Sequence, residues 1–284
     1  MNKWMSKLGD NRLITQVSIP GTHDSASFHS NITGAGFTQT QSWDIKQQLN
    51  YGVRFLDARC RLIDDVFAMH HGPVYLKQQF GDFLQTCIDF LKRNPTEFIV
   101  LSVKKEHTTE NSKKSFASVM QDRYVSPHKE MFFLENRIPN VKEVRGKIVL
   151  LRRYNGSDIG LSASNWKDNA TFRINNNGYS IFVQDEYSGY TFATIKSKRE
   201  PVRKLVEAST RGKSGDLYIN FTSLSGVLVT PYNGAYGDAF TDGMNYWFPK
   251  QYKGKHSMGI IVSDYVDIDK GAIIKTVVNS NLFK

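Results

Sequence analysis

Short apolar segments alternate with amphipathic segments along most of this chain. Eight runs are rich in β-branched and other apolar residues and have the length typical of β-strands: 16–19, 54–59, 66–70, 98–103, 147–151, 180–184, 216–221 and 258–262. Segments with helical periodicity separate several of them. Residues 78–93, for example, place on one face Phe80, Phe83, Leu84, Cys87, Ile88 and Leu91. Strands alternating with helices predict a parallel sheet, and eight strands favour a closed (β/α)8 barrel of the α/β class.

No segment has the composition of an interdomain linker. The polar stretches at 106–114 and 155–177 predict long loops, which in a compact domain are more often functional than idle. A chain of 284 residues fits one barrel. We therefore expect a single domain over residues 1–284.

The chain is basic, with a formal charge of +10. This charge favours an anionic partner, which could be nucleic acid, an acidic membrane surface or a phosphorylated substrate. Cys60 and Cys87 are the only cysteines, and their spacing matches neither a disulfide framework nor a zinc site. No run approaches the roughly twenty apolar residues that span a bilayer.

Two histidine-containing turns follow predicted strands. The segment SIPGTHDS presents His23 beside Asp24, and MHHGP presents His71. Imidazole titrates near neutral pH, so it serves as a general base or a general acid. His70 should point to the opposite side of its strand, because side chains alternate faces. We predict that His23 and His71 are the acid–base pair and that His70 is structural.

Asp57 and Arg59 are two positions apart on a strand and share a face. The guanidinium offers a planar fork suited to phosphate oxygens. Asp264, at the end of the last strand, lies beside His23 if the barrel closes, and there it can orient the imidazole. For each residue taken singly, a helix cap or a structural ion pair is the more common role. Their joint occurrence at strand ends predicts a phosphodiester-cleaving active site.

The predicted site favours chemistry without a metal or another cofactor. A calcium site needs several oxygen ligands that converge on one ion, whereas Arg59 occupies the central position here. Its guanidinium can stand where a cation would stand.

Seven segments in this order resemble the bacterial phosphatidylinositol-specific phospholipase C family: SIPGTHDS, RFLDARCR, HHGPVYL, VLSVKKE, GKIVLLRRY, VQDEY and IIVSDY. The resemblance covers nearly the entire chain. It implies a slightly irregular TIM barrel that cleaves phosphatidylinositol to diacylglycerol and inositol 1,2-cyclic phosphate, with possible slow hydrolysis of the cyclic product.

The resemblance also implies a role for each matching residue. His23 is the base and Asp264 orients it, whereas His71 is the acid and Asp24 assists it. Arg59 neutralises the phosphate, and Asp57 belongs to the same polar network. The inositol head group is held by the remaining matches, Lys104, Arg153, Asp185 and Tyr187. Strand alternation favours Lys104 over the alternative, Lys105.

An enzyme that acts on a bilayer lipid needs a surface that adheres to the membrane. Residues 231–249 carry an aromatic series, and aromatic rings favour the membrane interface. The predicted membrane rim comprises Tyr232, Tyr236, Phe240, Tyr246, Trp247 and Phe248. Packing of these rings against the barrel is the alternative.

Several alternatives stay open from the sequence. One is a metal-dependent glycerophosphodiester phosphodiesterase, and another is a non-catalytic module that binds phosphoinositides or membranes. Nucleic-acid binding is the weakest, because no recognised motif accompanies the charge. The resemblance favours a secreted monomer whose leader is absent from this chain, although a cytoplasmic location is possible.

Overall fold

A computed structural model describes residues 1–30 and 35–281. The strands are β1 Ile19–Thr22, β2 Phe55–Ile63, β3 Val66–His71, β4 Val74–Gln79, β5 Ile99–Lys105, β6 Phe132–Phe133, β7 Ile148–Arg153, β8 Leu161–Ser162, β9 Thr171–Asn176, β10 Tyr179–Gln184, β11 Leu217–Phe221 and β12 Ile260–Ser263. The α-helices are α1 Ala35–Thr38, α2 Ile45–Tyr51, α3 Phe80–Arg93, α4 Phe116–Val119, α5 Val141–Val144, α6 Arg199–Arg211, α7 Pro231–Tyr236, α8 Met244–Gln251 and α9 Ile268–Ser280.

The strands form one sheet with the order β6-β7-β5-β2-β1-β12-β11-β10-β9. Neighbours from β6 to β10 in this order are parallel, and β9 is antiparallel to β10. The first strand therefore lies between the second and the last, as in a barrel. Over the described residues the hydrogen-bonded path ends at β6 and β9. This is the arrangement of an irregular (β/α)8 barrel, which confirms the predicted fold class.

One of the eight predicted parallel strands is antiparallel. The run at 66–70 belongs to β3, which pairs antiparallel with β2, and β4 pairs antiparallel with β3. Only Asp64 and Asp65 connect β2 to β3, with φ of 50° and 55°. Two residues with positive φ make a tight hairpin turn, whereas a parallel neighbour needs a crossover of about a dozen residues.

The segment 155–177 is not a continuous loop as predicted, because it contains β8 and β9. In β9, Phe172 and Ile174 are buried and alternate with exposed Thr171 and Arg173. This period of two is a strand signal that the polar composition concealed. The predicted helix at 78–93 is confirmed as α3, which begins two positions later because β4 extends to Gln79.

The first strand also differs from the sequence-based bounds. The run predicted at 16–19 overlaps a short helical turn, Ile14–Gln16, and β1 extends through the PGT segment to Thr22. Gly21 lies so close to β2 that a Cβ there would come within 2.8 Å of Phe55. The strand ends at Thr22, directly before His23.

None of the described helices combines the length and apolarity that crossing a bilayer requires.

Candidate active site

The carboxyl ends of the parallel strands surround a cavity of about 380 Å³. Eight of the ten predicted catalytic and substrate-binding residues line it: His23, Arg59, His71, Lys104, Arg153, Asp185, Tyr187 and Asp264. Asp24 and Asp57 are fully buried and contact these residues from behind. The structure thus brings all ten residues together.

His23 lies between a carboxylate and a guanidinium. Thr22 of β1 pairs with Ser263 of β12, which places His23 beside Asp264. The distance from His23 Nδ1 to Asp264 Oδ1 is 2.7 Å, and that from Arg59 Nη2 to His23 Nε2 is also 2.7 Å. Because a guanidinium only donates hydrogen bonds, Nε2 accepts and Nδ1 carries the proton. The two contacts therefore fix the tautomer of a neutral imidazole.

The surroundings of His23 keep this imidazole neutral. Burial lowers the pKa of His23 well below its ordinary value, and the positive charge of Arg59 lowers it further. Both effects disfavour the imidazolium form. His23 is thus a neutral imidazole at neutral pH, which is the protonation state that a general base requires.

His71 is supported by a separate carboxylate. Its Nδ1 lies 2.6 Å from Oδ2 of Asp24, which is completely buried. Asp24 has a φ of 38°, an uncommon conformation for a residue other than glycine. At the same hairpin, the amide of Gly72 donates to Glu106 Oε1 at 3.0 Å. Asp24 and Glu106 together anchor the His71 turn.

Asp57 links two guanidinium groups behind the cavity. Its Oδ2 accepts from Arg59 Nε at 3.1 Å, and its Oδ1 accepts from Arg153 Nη1 at 3.1 Å. Burial alone would raise the pKa of Asp57, but Arg59 and Arg153 hold it well below its usual range. Asp57 is therefore ionised and fixes both cations.

The opposite side of the cavity carries donors and acceptors suited to a polyol. Trp166 Nε1 donates to Asp185 Oδ2 at 3.0 Å, and the Arg153 guanidinium stacks over the Trp166 ring at 3.7 Å. Tyr187 Oη donates to Asp168 Oδ1 at 3.0 Å. Small-molecule pockets typically combine a few fixed polar groups with an aromatic surface.

Lys104 is placed by its strand as predicted. It pairs in register with Arg59 of β2, and its Nζ lies 2.6 Å from Glu106 Oε2. Lys105 also lines the cavity. The ion pair with Glu106 supports the choice of Lys104 as the inward-facing lysine.

The predicted catalytic and substrate-binding set leaves out several residues that line the cavity, among them Glu106, Trp166 and Asp168. Trp166 and Asp168 lie in the segment interpreted as a loop. In the sequence, the signal for Trp166 was a tryptophan in a mostly polar segment. Glu106 had the same two-residue spacing from Lys104 that revealed Asp57 and Arg59.

The predicted membrane rim is partly wrong. Tyr232, Tyr236 and Phe240 are exposed, and Phe240 is 93% accessible. Trp247 and Phe248 are buried. Together with Met244 they form the inward face of α8 at helical spacing. Tyr246 is half-buried on the same helix.

Two apolar residues that the sequence analysis overlooked are also exposed near the cavity. Val227 is 87% accessible and Leu228 is 74% accessible. They follow Leu224 and Ser225, which line the cavity. In the sequence, the signal for this exposed surface was a pair of adjacent apolar residues in a segment rich in serine and glycine.

Among residues 1–30 and 35–281, no three His, Cys, Asp or Glu side chains are grouped to hold a metal ion. The geometry instead provides two imidazoles with separate carboxylates and a guanidinium in contact with one of them. Such an arrangement can remove one proton, deliver another and stabilise anionic charge.

Comparisons with known proteins agree with this geometry. The model of the phosphatidylinositol-specific phospholipase C X domain matches residues 17–154. A 1-phosphatidylinositol phosphodiesterase from Staphylococcus aureus (strain Newman) is 34% identical over 92% of this chain and 87% of its own length.

Solved structures show the same similarity. A phosphatidylinositol-specific phospholipase C from Staphylococcus aureus matches with a TM-score of 0.89 and 33% identity, covering 99% of this chain and 98% of that chain. The enzyme from Listeria monocytogenes matches with a TM-score of 0.77 and 27% identity over 99% of both chains. The protein with this cavity belongs to the phosphatidylinositol-specific phospholipase C family.

Proposed function

We propose that this protein cleaves phosphatidylinositol to diacylglycerol and inositol 1,2-cyclic phosphate without a metal. The observation that carries the proposal is the pair of imidazoles, each supported by its own buried carboxylate, with Arg59 bound to His23. A module that only binds lipid has no need of two positioned proton carriers. Family membership supports the same substrate.

The first step uses His23 as base. In the free protein, Arg59 donates to His23 Nε2. The anionic oxygens of the substrate phosphate are stronger acceptors than a neutral imidazole, so substrate binding draws the guanidinium away and frees Nε2. His23 then takes the proton of the inositol 2-hydroxyl, whose oxygen attacks phosphorus. The neighbouring hydroxyl serves as an internal nucleophile.

His71 acts on the other side of the phosphate. As the bond from phosphorus to the glycerol oxygen breaks, His71 donates its proton to that oxygen and releases diacylglycerol. Asp24 holds the His71 ring through its contact with Nδ1, and Arg59 stabilises the charge that builds on the phosphate. Hydrolysis of the cyclic product reverses the roles: His71 activates water, and His23 returns its proton to the 2-oxygen.

Recognition of the head group is proposed for the other side of the cavity. Arg153 and Lys104 would donate to inositol hydroxyls, and Asp185 would accept from them. Tyr187 would pack against the ring. Asp168 and Trp166 hold Tyr187 and Asp185 in place through the hydrogen bonds described above.

We also propose peripheral contact with the membrane through an apolar rim. We define the apolar rim as Val227, Leu228, Tyr232, Tyr236 and Phe240, all of which are exposed. Apolar and aromatic side chains at the cavity mouth would enter the lipid interface and bring the head group within reach.

Phosphorus NMR tests the reaction directly. The protein is mixed with phosphatidylinositol in detergent micelles containing excess chelator, with His23→Ala as the matched control. We expect the cyclic phosphate signal with the unmodified protein and almost none with the variant. Activity that appears only after calcium or magnesium is added would instead favour a metal-dependent phosphodiesterase. No product under any condition would favour a binding module.

A further inference from the structure

Lys198 is a buried cation that the proposed reaction does not use. It precedes α6 and has 0% of its surface exposed. Its Nζ donates to Gln184 Oε1 at 2.8 Å and to the carbonyl oxygen of Glu186 at 2.6 Å. Both acceptors are neutral, so the ammonium has lost its hydration without gaining a direct carboxylate partner in these two bonds.

An ammonium in such a place carries a free-energy cost. Burial lowers the pKa of Lys198 to about 7, and the negative charges of Asp185, Glu186 and Asp264 oppose that change. A methionine could fill the same volume without this cost. The lysine is therefore a poor choice for packing alone.

The two bonds of Lys198 enclose Asp185. Gln184 and Glu186 flank it in sequence, and Gln184 Oε1 also accepts from the Glu186 amide at 3.0 Å. The Gln184 side-chain amide donates to Asn220 Oδ1 and to the Phe221 carbonyl. Lys198 thus completes a network that ties the end of β10 to the start of α6 and to β11.

We infer that Lys198 is a positioning residue for head-group recognition. This inference rests on the proposed function. By clamping the residues on both sides of Asp185, Lys198 keeps that carboxylate at the cavity wall. Burial raises the pKa of Asp185, and the positive charges of Arg153 and, to a smaller extent, Lys198 oppose this rise. Lys198 thereby favours the anion, which is the form that accepts hydrogen bonds from inositol hydroxyls. Neither of the two hydrogen bonds of Lys198 involves His23, His71 or Arg59.

The test separates substrate binding from chemistry. Lys198→Met is assayed with water-soluble inositol 1,2-cyclic phosphate, and myo-inositol binding is measured by calorimetry. We expect KM and the Kd for myo-inositol to rise about tenfold or more, with kcat within about threefold of the unmodified protein. Lys204→Met is the matched control, since Lys204 lies on α6 and its side chain is 74% exposed. It should leave both constants unchanged.

Two results would overturn the inference. One is unchanged KM and Kd in Lys198→Met, and the other is a loss confined to kcat or to the folded fraction seen by circular dichroism. Lys198→Gln, which keeps a neutral N–H donor group, replaces the methionine variant if the latter does not fold, and the same criteria apply. If the unmodified protein binds myo-inositol but produces no cyclic phosphate from phosphatidylinositol, the proposed function fails, while the Kd comparison still tests Lys198.

Discussion

At the scale of single residues, the two histidines share a carboxylate contact at Nδ1 but differ in their other charged neighbours. His23 contacts a guanidinium at one nitrogen and a carboxylate at the other, and its side chain is only 12% exposed. The side chain of His71 is more exposed. Its ion-pair contact in the described residues is with the Asp24 carboxylate. A general base needs an unprotonated ring nitrogen, which the contact with Arg59 keeps on His23, whereas a general acid needs a proton to donate. These surroundings therefore support different assignments for the two rings.

Removing Arg59 should raise the pKa of His23. Arg59 is one of the two main causes of the lowered pKa, and burial is the larger. In Arg59→Met the imidazole should therefore become protonated at a higher pH than in the unmodified protein. NMR of the histidine ring nitrogens during a pH titration measures this change.

Arg61→Met is the control for that titration. Arg61 lies on the same strand but pairs with Glu110, and its loss should leave the His23 midpoint in place. A His23 midpoint that does not rise in Arg59→Met would contradict the electrostatic role of Arg59. The folded state favours neutral His23. The contribution of His23 to the free energy of unfolding is therefore fully present above about pH 6.5, the pKa of histidine in the unfolded chain, and it is lost as the pH falls through the lowered pKa of the folded protein.

Asp24→Asn should impair the acid without disturbing the turn. Asparagine tolerates the positive φ found at this position, but a neutral amide replaces the carboxylate that contacts His71 Nδ1. We expect kcat for phosphatidylinositol to fall by about 10²-fold or more. Steady-state kinetics in micelles measures the loss, and a kcat within about threefold of the unmodified value would remove Asp24 from the mechanism.

At the scale of secondary-structure elements, the β3–β4 hairpin and the apolar rim bring residues to the cavity from outside the regular β/α repeat. His71 comes from the hairpin, which crosses the cavity edge as part of an antiparallel extension of β2. The rim comes from segments between β11 and α8. The parallel strands supply the remaining charges from a rigid scaffold.

The apolar rim should control membrane binding separately from turnover. Leu228→Ser and Phe240→Ser each remove exposed apolar surface that would enter lipid, and each should weaken binding to phosphatidylinositol-containing vesicles by about tenfold. Turnover of soluble inositol 1,2-cyclic phosphate should be unchanged. Vesicle sedimentation measures the first quantity and phosphorus NMR the second.

Tyr51→Ser is the matched control for the rim variants. Tyr51 is exposed but ends α2, which leads into the amino end of β2 on the opposite side of the barrel. Its loss should not affect vesicle binding. Equal losses in all three variants would indicate that the proposed rim is not the membrane-binding surface.

At the scale of the whole molecule, stability and catalysis are separated along the barrel axis. Arg54 and Glu97 form a fully buried ion pair near the amino ends of β2 and β5, with Arg54 Nη2 at 2.7 Å from Glu97 Oε2. Arg54 also donates to the carbonyls of Leu49 and Val53. In barrels of this kind the opposite end of the strands carries the chemistry.

Breaking this pair should destabilise the fold without changing the site. Glu97→Ala leaves a buried guanidinium without its carboxylate, and the free energy of unfolding should fall by about 3–5 kcal/mol. Urea unfolding measures this change. Glu110→Ala breaks the exposed pair with Arg61 and should cost at most about 1 kcal/mol. A small effect in Glu97→Ala, or an altered KM in its folded form, would argue against the separation.

Local patterns were sufficient to predict much of this protein. Apolar runs of strand length and the periodicity of α3 indicated the barrel, and residues after the strands indicated the site. Parallel strands all end at one edge, so residues distant in sequence could be expected together without knowledge of their distances. Closure of a barrel also makes its first and last strands neighbours, so Asp264 was expected beside His23.

Other features depend on contacts that no local pattern contains. The antiparallel direction of β3, the burial of Trp247 and Phe248, and the contact of Trp166 with Asp185 each require knowledge of which surfaces meet. An aromatic residue has the same local signature whether it faces lipid or packs on the barrel. A residue's identity specifies the interactions it can make, but the packing of distant segments selects among them, since burial and hydrogen bonding are properties of the assembled fold.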